Sequence, residues 1–125
     1  MHSPEFRSVK HSQKEALYLR EISNLIFQLS LDEPSLQGMA INRIQLSPNK
    51  GMCIVFFYDA AGEEAFREKL GKLILYKPSL RAALAKAINS RYVPEIMFKF
   101  DTLFEKQQRI EALIEQAKEK EEDPS

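Results

Sequence analysis

Tyr18, Ile22, Leu25, Ile26 and Leu29 recur at the spacing of one helical stripe and predict a first helix. Ser12 with Glu15 three residues on offers a capping box for its start, and Pro4 offers an earlier one. Residues 32–38 end it with turn chemistry: Asp, Glu, Pro, Ser and Gly within seven positions. Residues 39–46 then alternate in part, with Ile41 separated from Ile44 and Leu46 by Asn42 and Arg43. Residues 47–51, Ser-Pro-Asn-Lys-Gly, read as a turn. Residues 52–58 are nearly all apolar, β-branched or aromatic, which suits a central strand. The two runs form a hairpin with a five-residue connection.

After residues 59–62, Phe66, Leu70, Leu73 and Ile74 give the apolar face of a second helix. Pro78 interrupts it, having no N–H to donate and pushing Lys77 out of the α region. A helical pattern resumes at once through Leu80, Leu84 and Ile88, so two helices meet at a sharp kink with Pro78 in the first turn of the second. Val93-Pro94-Glu95 opens a third strand in which Ile96, Phe98 and Phe100 point one way and Met97 and Lys99 the other. Thr102 with Glu105 reads as the capping box of a last helix, whose stripe is Ile110, Leu113, Ile114 and Ala117. That stripe is expected to pack within the molecule. The long path between the second and third strands permits a parallel pair, with helices covering one face of a three-stranded sheet. The expectation is an α+β domain over residues 1–120 and a disordered tail at 121–125.

Composition adds bounds. The chain has 125 residues, 44% of them hydrophobic, which suits one domain with an ordinary core. Its longest apolar run, residues 52–58, is far too short to span a bilayer. No apolar leader or Arg-rich transit segment is visible, so a cytoplasmic location is expected. The single cysteine, Cys53, builds neither a disulfide framework nor a Cys-based metal site and reads as a buried strand residue.

Net charge is zero, but the distribution is not even. Between Lys69 and Lys99 there are seven basic residues against one acidic, Glu95, a net of +6; from Asp101 onward eight acids face four bases, a net of −4. The opposite signs raise the question whether the last helix folds back on the basic segment, which the sequence leaves open. Catalysis finds little support. His2 and His11 sit near the N-terminus, where solvated positions are expected, and no zinc-protease, nucleophile-elbow or phosphate-loop pattern is present. No metal or cofactor is expected. Phe56, Phe57, Phe98 and Phe100 stand at strand spacing and read as core. The basic segment is the candidate for chemistry: cations on a helix–kink–helix, with free N–H groups after the kink, suit a phosphate backbone.

Residues 91–101, Arg-Tyr-Val-Pro-Glu-Ile-Met-Phe-Lys-Phe-Asp, resemble the Val-Pro-Glu-Leu-x-Phe-x-x-Asp signature of the bacterial ribosome-binding factor A family. Arg109-Ile110-Glu111 and Leu113-Ile114 resemble its C-terminal helix. Residues 32–38 are similar to its Asp-Pro-Arg-Leu-Gly turn, with Glu33 inserted and Ser35 where arginine is usual. The resemblance implies a type II KH-like domain of order helix–strand–strand–helix–kink–helix–strand, with an added C-terminal helix. It implies a monomeric, non-enzymatic factor that binds the immature small ribosomal subunit and supports late maturation of 16S rRNA, notably in the cold. No membrane and no small-molecule substrate are implied.

KH domains clamp RNA with a Gly-x-x-Gly loop. The family replaces it with an Ala-x-Gly kink, and the matching positions here are Tyr76-Lys77-Pro78. Asn89 and Ser90 thin the basic run before Arg91, which predicts fewer phosphate contacts and a shallower salt dependence. The expected RNA face is Lys77, Arg81, Lys86 and Arg91, flanked by Lys69 and Lys72, with Pro78 and Ser79 forming the kink. The alternative is a protein-interaction module that uses the open sheet face or the C-terminal helix without RNA.

Overall fold

The computed structural model describes residues 9–122, and side chains as far as Lys120. His2 and the alternative helix start at Pro4 lie outside the described residues. The central strand is the one expected. β2 (Met52–Asp59) lies between β1 (Met39–Leu46), antiparallel to it, and β3 (Glu95–Phe100), parallel to it. Helices α2 (Glu63–Leu75) and α3 (Lys77–Ala87) make the crossover that the parallel pair requires. With α1 (Val9–Asp32) they cover one face of the sheet, and α4 (Thr102–Glu122) is added at the end.

Alternation fixes what the sheet buries. Cys53, Val55, Phe57 and Asp59 are buried, while Met52, Ile54, Phe56 and Tyr58 are half-exposed on the other face. β3 keeps the same rule, with Ile96, Phe98 and Phe100 inside. A bulge between Ile41 and Arg43 makes Asn42 the extra residue, which accounts for the imperfect alternation of β1. Three of the four strand phenylalanines are core, and Phe56 lies on the uncovered face. Cys53 has no exposed surface, and burial, followed by the charge of Glu15, pushes its thiol up to about 12.

The helices meet the core through Tyr18, Ile22 and Ile26 of α1, Phe66 and Leu73 of α2, and Leu80 and Leu84 of α3. Ile74, expected on the buried face of α2, is 45% exposed, because the stripe continues from Leu73 to Tyr76 and leaves Ile74 to the side. Tyr76 alone separates α2 from α3. Its N–H donates to the Leu73 carbonyl at 3.0 Å, and its carbonyl accepts from Leu80 N–H at 2.8 Å. Pro78 stands in the first turn of α3, where a missing N–H costs nothing. Lys77 itself opens α3, so Pro78 does not push it out of the helix.

Both expected capping boxes are replaced. α1 begins at Val9, which puts Ser12 inside the helix. Glu15 accepts the Leu46 N–H at 2.7 Å, and His11 is buried with Nε2 3.1 Å from the Leu46 carbonyl. The reason is that β1 is an edge strand, and the outward backbone groups of its last residue need partners. At α4 the cap is Asp101: its carboxylate accepts the Phe104 N–H at 3.1 Å, and its carbonyl accepts the Glu105 N–H at 3.1 Å. The stripe of α4, expected to pack internally, is exposed: Leu103, Ile110, Leu113 and Ile114 are each more than half accessible. The helix does not fold back on the basic segment, and it runs to Glu122. Residues 123–125 lie outside the described residues.

Candidate nucleic-acid interface

The basic segment does not form one free face. Lys69 reaches back across the start of β1, donating to the buried Asp59 carboxylate and to the Gln37 carbonyl at 2.8 Å. Its ammonium passes 3.0 Å from where a Cβ on Gly38 would sit, and Gly38 has φ +100°, so only glycine suits that position. Lys72 donates to the Glu33 carboxylate at 2.9 Å, and Tyr76 Oη donates to the same group at 3.1 Å. Hydrogen bonds from Lys72 and then Tyr76 hold the Glu33 carboxyl below its ordinary value, and the Lys72 ammonium moves up correspondingly. Glu33, the inserted residue of the turn, therefore pins the kink and neutralises one of its lysines.

Along α3 the cations divide again. Arg81 donates to the Val93 carbonyl at 3.0 Å and the Pro94 carbonyl at 3.3 Å, with Glu95 3.7 Å away. It holds the Val-Pro-Glu segment in place for β3. Lys77 lies over the Phe98 ring, 5.4 Å from its centroid, and is half-buried. Pro78 and Ser79 are exposed beside it. Lys86 and Arg91 are exposed, with no ion-pair partner among the described residues. Of the six cations, Lys77, Lys86 and Arg91 have no carboxylate partner among the described residues.

The uncovered sheet face carries a second group of contacts. Arg43 stacks over the Phe56 ring at 3.8 Å and makes a two-pronged bond to the buried Asp101, at 2.9 and 3.3 Å. In the parallel register Lys99 stands opposite Phe56 on the other edge. Burial pushes the Asp101 carboxyl up, but the bonds from Arg43 and the Phe104 amide, with the guanidinium's charge, outweigh it and hold the group below its ordinary value of 3.8. Asp101→Ala should cost about 2 kcal/mol at pH 7, from a lost helix cap and a partly solvent-screened charged bond. A depressed carboxyl contributes stability above its unfolded value and loses it as pH falls through the folded value. Urea unfolding from pH 7 downward should show the wild type losing stability below about pH 5, and Asp101→Ala losing less over the same range.

Sequence reasoning passed over the bonds of Glu33 to the kink and the pairing of Arg43 with Asp101, although Asp101 closes the Val-Pro-Glu signature. It also passed over Lys10, Lys14 and Lys50, which lie outside the 69–99 window and meet only in the fold. A depression of about 540 Å³ between the end of α1 and the start of β1 is lined by apolar and neutral polar residues, with no ionisable side chain. Among the described residues no three His, Cys, Asp or Glu side chains gather as a metal-binding group, and no helix is long and apolar enough to cross a membrane.

Comparison with known proteins agrees with the architecture. The ribosome-binding factor A of Prochlorococcus marinus (strain MIT 9215) is 32% identical over 109 residues, covering 86% of this chain and 84% of that protein. That of Citrifermentans bemidjiense is 25% identical over 108 residues, covering 86% and 91%. The crystal structure of ribosome-binding factor A from Thermus thermophilus superposes with a TM-score of 0.59 at 23% identity, covering 72% of this chain and 93% of that one. A homology model of the factor from the same organism, fitted into the cryo-EM map of a 30S complex, superposes with a TM-score of 0.53 at 25% identity, covering 67% and 87%. The ribosome-binding factor A family model matches residues 10–114, from the first turns of α1 to the middle of α4, and the chain belongs to that family.

Proposed function

We propose that this protein is a cytoplasmic, monomeric assembly factor that docks on the immature small ribosomal subunit and supports late 16S rRNA maturation, notably in the cold. The family match across residues 10–114 carries the reading, and a relative of the same fold has been fitted into a map of its 30S complex. The work is done by docking, without turnover chemistry. The one thiol is buried and hard to ionise, and the depression beside α1 offers no acid or base. Lys77, Lys86 and Arg91 are the contacts proposed from the basic segment, because among the described residues no carboxylate pairs with them. Lys69, Lys72 and Arg81 flank them as residues that shape the surface.

The test is sedimentation of the tagged protein with cell lysate. It should travel with free small subunits and not with mature ribosomes, and binding should fall steeply as salt rises. The Lys77→Glu, Lys86→Glu, Arg91→Glu variant should fold normally and be lost from the subunit fraction; unchanged sedimentation would sink the assignment of these residues. The exposed stripe of α4 favours a second reading, a protein-docking module. Apolar docking of that kind would survive the rise in salt.

A further inference from the structure

Three chain segments converge at the end of the sheet away from the kink. The buried His11 at the Leu46 carbonyl brings the start of α1 beside the end of β1. The Glu95 N–H donates to the Gly51 carbonyl at 3.0 Å, which brings the segment before β3 beside the β1–β2 turn. Lys10, Lys14 and Lys50 line one shallow depression there with Gln13 and Leu17, and no carboxylate lines it among the described residues. Among the described residues the nearest acids along the chain are engaged: Glu15 accepts from Leu46 N–H, and Glu95 leans toward Arg81. Arg91 and Tyr92 lie on the neighbouring segment, and Tyr92 is 79% exposed although its ring is large and apolar.

The turn that carries Lys50 is built to hold it. Asn49 Oδ1 accepts from Ser47 Oγ at 2.7 Å and from Gly51 N–H at 2.9 Å, and Ser47 Oγ accepts from Met52 N–H at 3.0 Å. Within this frame Lys50 takes φ +60°, a left-handed conformation that glycine or asparagine would adopt at lower cost. A lysine kept in that place, on the wall of the depression, is an outlier that points to a use.

We propose that Lys10, Lys14, Lys50 and Tyr92 form a second contact site for unpaired RNA, joined to the basic segment through Arg91. The lysines and Arg91 take successive phosphates, and Tyr92 offers its ring to one splayed base. The proposal rests on the docking function above and names where single-stranded rRNA would run.

The probe is a labelled oligoadenylate of about 12 nucleotides, titrated into the full-length protein and followed by anisotropy. The Lys10→Glu, Lys14→Glu, Lys50→Glu variant should bind about 100-fold more weakly near 0.1 M salt and show a log–log salt slope lower by about 2. Lys106→Glu, Lys118→Glu, Lys120→Glu in α4 makes the same change in net charge and should stay within about twofold of wild type. Tyr92→Ala should weaken binding roughly tenfold, and Tyr92→Phe should not. Wild-type affinity in the first variant, an equal loss in the α4 control, or no measurable binding by the wild type would each overturn the site. Wild type that binds the oligomer but fails to sediment with small subunits would overturn the assembly-factor reading and leave the site standing.

Discussion

Phe57→Ala is expected to remove about 4 kcal/mol of stability, as read from urea unfolding at pH 7. The ring has no exposed surface and sits on the central strand, with Phe66 and Phe98 each 5.6 Å away between centroids, the latter edge-on. Truncation leaves a cavity bounded by α2 on one side and β3 on the other. The sheet backbone can close it only in part, because Phe57 is paired on both sides, with Ile41 next to the β1 bulge and with Phe100 of β3. Domains of this size are stable by roughly 5–15 kcal/mol, so the variant should sit close to unfolding at physiological temperature. Phe57→Leu keeps most of the volume and should cost under half as much. A cost below about 2 kcal/mol for the alanine would show that the core relaxes more than its packing implies.

Lys69→Ala is expected to cost about 3 kcal/mol and to act on folding before it acts on RNA. The lysine is the cation that compensates Asp59, a carboxylate only 2% exposed at the end of β2. Removing it leaves Asp59 with the Ala61 N–H at 2.9 Å as its remaining hydrogen-bond donor. The same loss frees the Gln37 carbonyl. Thermal melting should show a drop on the order of 10 °C. At a temperature where both proteins are folded, small-subunit binding should fall far less for Lys69→Ala than for Lys77→Ala. Lys77→Ala in turn should leave the melt within a few degrees, since its contact with Phe98 is partly solvated. If the two lysines exchange these behaviours, the division of the basic segment into bonded and free cations is wrong.

The elements were legible because each rests on short-range periodicity. β2 could be read from seven apolar residues in a row, β3 from its strict alternation, and the kink from Pro78 between two helical stripes. The electrostatics were not legible, because the partners lie far apart in the chain. Arg43 and Asp101 are 58 positions apart, Glu33 and Tyr76 are 43 apart, and His11 and Leu46 are 35 apart. A window from 69 to 99 shows six surplus positive charges, yet Asp59 and Glu33 outside it bond Lys69 and Lys72, and backbone carbonyls occupy Arg81. For the same reason the basic end at Lys10, Lys14 and Lys50 leaves no trace in a local charge count. The stripe of α4 was read correctly as a stripe, but periodicity names an apolar face without naming what covers it.

The cap at Asp101 also has a mechanical meaning. One carboxylate, bonded by Arg43 and by the first turn of α4, is the footing of a helix 21 residues long. Ile114 stands about 18 Å along that helix from Thr102 at 1.5 Å per residue. A tilt of roughly 10° at the footing therefore swings Ile114 by about 3 Å, close to the width of an atom. The aim of the exposed stripe is set at Asp101, and any surface that α4 meets will feel changes made there as a lever arm feels its pivot.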